Sequence, residues 1–377
     1  MANALTPFTT WCDRLTAMDD SARMAAVDGA PYPVMAMILH FLRRSRSELF
    51  NTPTQALRWL DLAQRLMERG ADPRGDHLQL NHRWIEARLA HARAACFMIQ
   101  GRLQSAHELY LSALRGFEAL EDAVFAATVK RGLLFTLTQM GRQAEAVALG
   151  LEALAVFRRW HLKHDYLSTM NNLGLVELSR GRLDRAEAIF RRLRRAASPE
   201  RHYFPYIFHN LVLVRMERGN LMEAMADIGE FIRLCRATEN RIEEARGLFM
   251  LGECLLLLDR PEEAVQNLSE AKSMLTEARA AFDMALIQIY LAKALTLIGR
   301  PQDALPLIAA SAEYLRREGY VTVLSKLLDT WVEALSDPDR KLDRSAEEAF
   351  TFARYYRHCI PPPPGTLQHE GGRAANL

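Results

Sequence analysis

The chain has 377 residues, 49% of them hydrophobic and 25% charged. That is ordinary for a folded soluble protein but long for a single core, so two domains or a repeat array are expected. A formal net charge of +2 gives no overall electrostatic case for nucleic acid or an anionic membrane.

Five scattered cysteines, Cys12, Cys96, Cys235, Cys254 and Cys359, never fall in CxxC spacing. This fits free, mostly buried thiols in a reducing compartment. The N-terminus has no basic stretch leading into an apolar run, so no secretion signal is read. The longest nearly apolar run, "PYPVMAMILHFL", is too short to span a bilayer. A cytoplasmic location without membrane contact is expected.

Residues 8–28 read as a lone amphipathic helix, a cap occupying the first 30 residues. A first phrase, "NTPTQALRWLDLA", places Ala56, Leu60 and Ala63 at i, i+4, i+7, one face of a helix. "GADPRGD" at 70–76 reads as a loop.

The phrase then recurs. Turn-like residues fall at Gly101, Gly141, Gly181, Gly219, Asp259 and Gly299, in steps of 40, 40, 38, 40 and 40. Five residues after each stands Ala106, Ala146, Ala186, Ala224, Ala264 or Ala304. Four further on come Tyr110, Gly150, Phe190, Ile228, Leu268 and Ile308. Twelve residues before each alanine stands Ala94, Leu134, Gly174, Val212, Gly252 or Ala292. This predicts a helical hairpin: helix A, a tight turn with glycine past the C-cap, then helix B. A 40-residue unit leaves two helices of roughly 16 residues. The small residue on A and the alanine on B allow close backbone approach. Pro261 and Pro301 sit at the start of helix B, where a missing N–H costs little. A final copy is "SAEEAFTFARYY", with Ala346, Phe350 and Ala353. "SDPDRKLD" at 336–343 separates the last helices. "PPPPGTLQHEGGRAANL" cannot continue a helix, so residues 359–377 are expected to be a disordered tail.

One hairpin cannot bury both faces alone, and stacking gives a continuous core over residues 31–358. The expected fold is all-α: a right-handed α-solenoid of seven to eight antiparallel helical hairpins. Small residue, glycine turn, then Ala-xxx-apolar-xx-Ala resembles the tetratricopeptide repeat, most clearly in "NNLGLVELSRGRLDRAEAIF" and "LGECLLLLDRPEEAVQNL". The period departs from the usual length of about 34, and Glu177 stands where the family carries an aromatic. Long-repeat members of this kind resemble superhelical sensor domains of bacterial regulators. Armadillo and HEAT units, of about 40–47 residues, are the alternative.

No GxSxG, Walker, GxGxxG, HExxH or EF-hand pattern occurs, so a non-catalytic protein without a cofactor is expected. His161, His164 and Asp165 in "HLKHD" are either a metal-type cluster or a solvated inter-repeat loop. Arg158, Arg159, Arg191, Arg192, Arg194 and Arg195 form an anion patch or simply complement helix C-termini. No aromatic interleaving supports nucleic acid.

The resemblance implies that the A helices line a concave groove and contact an extended ligand. Carried over by position, that groove holds Arg88, His91, Arg131, Asn171, Asn172, Tyr206, His209, Asn210 and Arg246. Asn172 and Asn210 are equivalent, and an amide there both donates to and accepts from a ligand main chain. Arg131 and Arg246 suit a carboxylate. Lys130 and Phe135 break the clamp pattern of chaperone-binding relatives, which argues against an EEVD-type terminus. The expected partner is a protein or peptide, with homo-oligomerisation open. The rival readings are a signal-sensing subunit acting on a separate effector and an enzyme with a degenerate site.

Overall fold

The structure, a computed structural model, describes residues 5–68, 82–196, 204–276, 280–320 and 322–336, together with Ala349. Among these the fold is all-α. The N-terminal segment is two helices rather than one, α1 (Leu5–Thr16) and α2 (Asp20–Asp28). The Asp19 side chain accepts from the Ala22 amide at 2.8 Å and starts a new helix there, as an N-cap does. Seven hairpins follow: α3 (Val34–Glu48) with α4 (Pro53–Glu68), α5 (His82–Ile99) with α6 (Leu103–Ala119), and α7 (Ala123–Gln139) with α8 (Gln143–Arg159). Next come α9 (Lys163–Ser179) with α10 (Leu183–Ala196), and α11 (Phe204–Glu217) with α12 (Leu221–Ala237). The last are α13 (Arg241–Leu257) with α14 (Pro261–Thr276), α15 (Ala281–Leu297) with α16 (Pro301–Arg317), and finally α17 (Thr322–Ser336). The loop at 70–76, the linker at 337–343, Phe350, Ala353 and the tail at 359–377 lie outside the described residues.

The turns explain the period. Gly101, Gly141, Gly181, Gly219, Asp259 and Gly299 all have φ between 56° and 77°, the left-handed conformation that ends a helix. Glu121, His161, Glu239 and Gly319 adopt it too, at φ 54–70°. These turn from B back to the next A. Both kinds carry the same six-to-one closing bond: Arg102 N donates to Phe97 O at 2.8 Å, and Leu162 N to Phe157 O at 2.9 Å. One turn therefore serves twice per repeat, and the 40-residue unit is two nearly equal halves. Most helices from α6 onward are 17 residues long, one more than the spacing suggested. "HLKHD" is not a loop: His161 is the turn residue, while His164 and Asp165 lie in the first turn of α9.

The repeated alanines on the B helices, Ala56, Ala106, Ala146, Ala186, Ala224, Ala264 and Ala304, are all 0% exposed. The glycines on helix A make room for a side chain rather than for backbone. A Cβ on Gly174 would stand 2.5 Å from the Phe190 ring, and one on Gly252 would stand 2.5 Å from Leu268. Each such fully buried Phe or Leu contributes about 1.5–3 kcal/mol of burial. Neighbouring A helices touch one another (α5 with α7, α7 with α9, α13 with α15), and successive B helices do not approach as closely. The A helices thus lie inside the curve and the B helices outside it.

Six hairpins on, the superhelix meets its own beginning. Tyr314 Oη donates to Asn51 O at 2.8 Å, Gln100 Nε2 to Glu318 O at 2.9 Å, and Tyr320 Oη to Phe50 O. The A-to-B rim of the first two hairpins thereby packs on the B-to-A turn that follows α16. The inner face is enclosed by one complete turn of the solenoid.

One repeat breaks the regularity. The 38-residue step runs from Gly181 to Gly219. The helices on either side of its inter-hairpin connection, α10 and α11, are only 14 residues long. There α11 packs less closely on α12 than other A helices do on their B partners.

Candidate functional site

The inner wall is best seen on α9. Asp165, Ser168, Asn172, Leu175 and Ser179 are partly or fully exposed at i, i+3 and i+4 spacings, while Leu167, Thr169, Leu173, Gly174 and Val176 between them are buried. One stripe of the helix therefore faces the channel and the rest is core.

Most of the polar residues expected in the groove are already committed to a neighbouring repeat. Arg131 on α7 donates to Asp165 on α9 at 2.5 Å, and its guanidinium lies 5.7 Å from the Phe157 ring. Arg246 on α13 holds Asp283 on α15 at 2.7 Å and Glu243 on its own helix at 2.7 Å. Both arginines were expected to receive a ligand carboxylate. The fold supplies carboxylates of its own, and these pairs link α7 to α9 and α13 to α15. Asn171 and Asn210 are buried, and Asn210 Nδ2 donates to Asn171 Oδ1 at 2.7 Å. His209 Nδ1 lies 3.1 Å from Met250 Sδ on α13.

Asn172 differs from its register mate Asn210. It is partly exposed and has no hydrogen-bond partner among the described residues, so its amide is available. Arg88 lies 4.4 Å from the Phe125 ring and 5.3 Å from that of Trp84. Trp84 in turn donates to Asp122 at 3.3 Å. His91 packs against Tyr110, ring centroids 5.6 Å apart. Burial lowers its pKa to about 3, reinforced by Arg88, Arg131 and Arg46, which keeps the ring neutral. The Tyr206 side chain lies outside the described residues.

The carboxylate partners were missed in the sequence. Their signal was present: Asp165, Glu243 and Asp283 stand at one register, sixteen residues before their turn markers. Pairing an arginine with an acid one repeat away needs the curvature of the stack, which no spacing reveals.

The outer face carries the basic residues. Arg158 and Arg159 end α8 and are exposed, as is Arg192 on α10. Arg191, Arg194 and Arg195 share a cleft of about 210 Å³ with Glu187, Phe208, Leu211, Arg215 and Asp227. Asp165, one of the three residues of the suspected metal cluster, is held by Arg131. Among the described residues no group of three His, Cys, Asp or Glu is placed to hold an ion. Cys12, Cys96, Cys235 and Cys254 are buried and unpaired with one another. Burial pushes the thiols of Cys12, Cys96 and Cys235 up to about 12, far from the reactive thiolate range. Cys359 lies outside the described residues. No described helix is long and apolar enough to cross a membrane.

Comparison with known proteins agrees with this geometry. Residues 125–198 match the tetratricopeptide repeat family. No curated protein sequence matches the chain. Among solved structures, NprR in complex with its cognate peptide NprX superposes with a TM-score of 0.55 at 13% identity, over 94% of this chain and 97% of that one. A Rap protein complexed with competence and sporulation factor gives 0.55 at 11% identity, over 93% and 100%. The Rap conjugation gene regulator of plasmid pLS20, with the Phr* peptide, gives 0.52 at 16% identity, over 88% and 98%. Identities this low establish a shared fold, a long tetratricopeptide-type solenoid.

Proposed function

We propose, from the premise that this chain carries tetratricopeptide repeats and folds as one continuous solenoid of that type, that its inner channel binds an extended peptide or protein segment without catalysis. The observation that carries the reading is Asn172. It is a channel-facing amide with no partner of its own among the described residues, on a wall where Arg131–Asp165, Asn171–Asn210 and Arg246–Asp283 engage most of the other expected groove residues. An amide can read a main chain by donating and accepting at once. The paired walls hold the groove preformed, which lowers the ordering cost on the receptor side.

A second reading builds on the first: the protein is a signal-sensing subunit, and the peptide changes how it acts on a separate effector in the cytoplasm. Support comes from the hydrogen bonds of the Tyr314 and Tyr320 hydroxyls to the carbonyls of residues 50–51, a seam that a ligand in the channel would tighten or loosen. Three solved structures of similar fold also hold a bound peptide or factor: the Phr* peptide, the cognate peptide NprX, and competence and sporulation factor.

The test is selection of decapeptides from a displayed library on the wild-type protein, followed by affinity measurement on Asn172→Ala. Loss of one or two hydrogen bonds predicts a five- to hundredfold weakening, or about 1–3 kcal/mol, with an unchanged melting temperature. Equal affinity for every selected peptide would remove Asn172 from the site.

A further inference from the structure

The irregular repeat contains a second candidate site, on the opposite side of α11 from the channel. Counting along the helix at 100° per residue, Phe208, Leu211 and Arg215 cluster on the side away from His209. They form the floor of the cleft between the outer helices α10 and α12.

The sequence of this seam departs from the apolar pattern that most other repeats follow at four registers. Relative to the turn markers, Arg215 stands where four other hairpins carry Phe97, Leu137, Leu255 and Leu295 and the fifth carries Glu177. Arg194 replaces Leu114, Leu154, Ile232 and Ala312, with Lys272 the one other cation at this register. Asp227 replaces Leu109, Leu149, Ile189 and Leu307, with Asn267 in the fifth hairpin, and Glu187 replaces Val147, Met225, Val265 and Leu305, with His107 in the fifth. Each of these four positions is apolar in four of the other five marked hairpins and charged here, and all four line one cleft. Stability alone favours the apolar residues, since partly buried ion pairs seldom outperform a packed hydrophobic seam.

The charges do not cancel. Four guanidiniums and two carboxylates line the cleft, an excess of two positive charges. Arg215 pairs with Asp227, and Glu187 is shared at 2.6 Å by Arg191 and by Arg218 at the rim. Arg194 and Arg195 have no acidic partner among the described residues. Arg191, Arg194 and Arg195 stand at i, i+3 and i+4, so they share one face of α10. The floor beneath them is apolar, with Phe208 stacked on Phe231 at a centroid distance of 4.7 Å.

We infer that this cleft binds a phosphate monoester carried on a small apolar body. A phosphoryl group brings a charge of about −1.5 to −2 and three acceptor oxygens. That matches the excess of two positive charges and the two guanidiniums without an acidic partner, Arg194 and Arg195, better than a carboxylate does. The volume of about 210 Å³ is roughly seven waters' worth, room for the phosphoryl group and its apolar body. The ester can come from a phosphorylated side chain of a protein or from a free small molecule.

Titration calorimetry on the full chain tests this with phenyl phosphate, a phosphotyrosyl peptide, its unphosphorylated form and phenylacetate. Saturable binding of phenyl phosphate is expected, at least tenfold tighter than phenylacetate, and lost in the Arg194→Gln/Arg195→Gln variant. Tighter binding of the phosphopeptide identifies a protein source; phenyl phosphate binding without the phosphopeptide identifies a small molecule. Asp227→Asn removes an opposing carboxylate and frees Arg215, so it should raise affinity several-fold, a gain that a folding defect cannot mimic. The inference is overturned if neither phosphate ester saturates, if phenylacetate binds equally well, or if both variants bind as wild type does.

Discussion

The hydroxyl of Tyr320 donates to the main-chain carbonyl of Phe50 across 270 residues of sequence. Both residues are buried, at 4% and 8% exposure, in a chain whose other helix contacts join near neighbours. Tyr320→Phe should leave that carbonyl short of a partner and cost about 1–3 kcal/mol. Hydrogen exchange should then speed up together at residues 50–54 and 317–320 while α7 to α13 stay protected. Unchanged exchange at both places would mean the ends do not hold each other.

Two glycines isolate the contribution of that contact. Gly299 and Gly319 both turn the chain at positive φ, 77° and 70°. A Cβ at Gly299 meets nothing within 4 Å, whereas one at Gly319 stands 2.8 Å from Gln100 Nε2, the atom that donates to Glu318 O. Gly→Ala at either site carries the left-handed backbone cost of about 1–2 kcal/mol. Gly319→Ala should cost more, and denaturant melts of the two variants give the difference.

Core packing within a hairpin is tested by Ala186→Leu. Ala186 is fully buried beside the Phe190 pocket of Gly174, so added methylenes have nowhere to go. A loss of about 1–3 kcal/mol is expected. A melt like that of the wild type would place Ala186 outside the A/B contact.

The two register-equivalent asparagines should behave differently. Asn210→Ala strands the buried Asn171 oxygen and should cost about 1–3 kcal/mol of stability. Asn172→Ala should leave the melting temperature unchanged and affect only ligand affinity. Thermal melts of the pair decide this before any ligand is known.

Acid should weaken the N-terminal half through histidine. His91 titrates at about 3 in the fold and His40 at about 4, both lowered by burial first and then by nearby arginines, against an ordinary value of 6.5. Below 6.5 the unfolded chain binds protons that the folded chain refuses. This contribution to stability is therefore complete above pH 6.5 and is lost as pH falls toward 4 and then 3. His91→Gln should flatten the pH dependence of stability over that window, and an unaltered acid limb would show the ring to be solvated.

The sequence by itself determined the brick. A glycine or its stand-in every 38–40 residues, with alanine five positions on, fixes two helices and a turn, because local sterics and i, i+4, i+7 burial depend only on near neighbours. It left the second set of turns unmarked, since Glu121, His161 and Glu239 adopt the glycine conformation without being glycine. It also put the expected groove residues on the A helices without revealing their partners. Whether Arg131 is open to a ligand or closed on Asp165, and whether Asn210 faces the channel or Asn171, depends on the small rotation from each hairpin to the next. That rotation, summed over six hairpins, also brings Tyr320 to Phe50. It arises from side-chain packing between repeats, a relation among residues about 40 positions apart that no local pattern encodes.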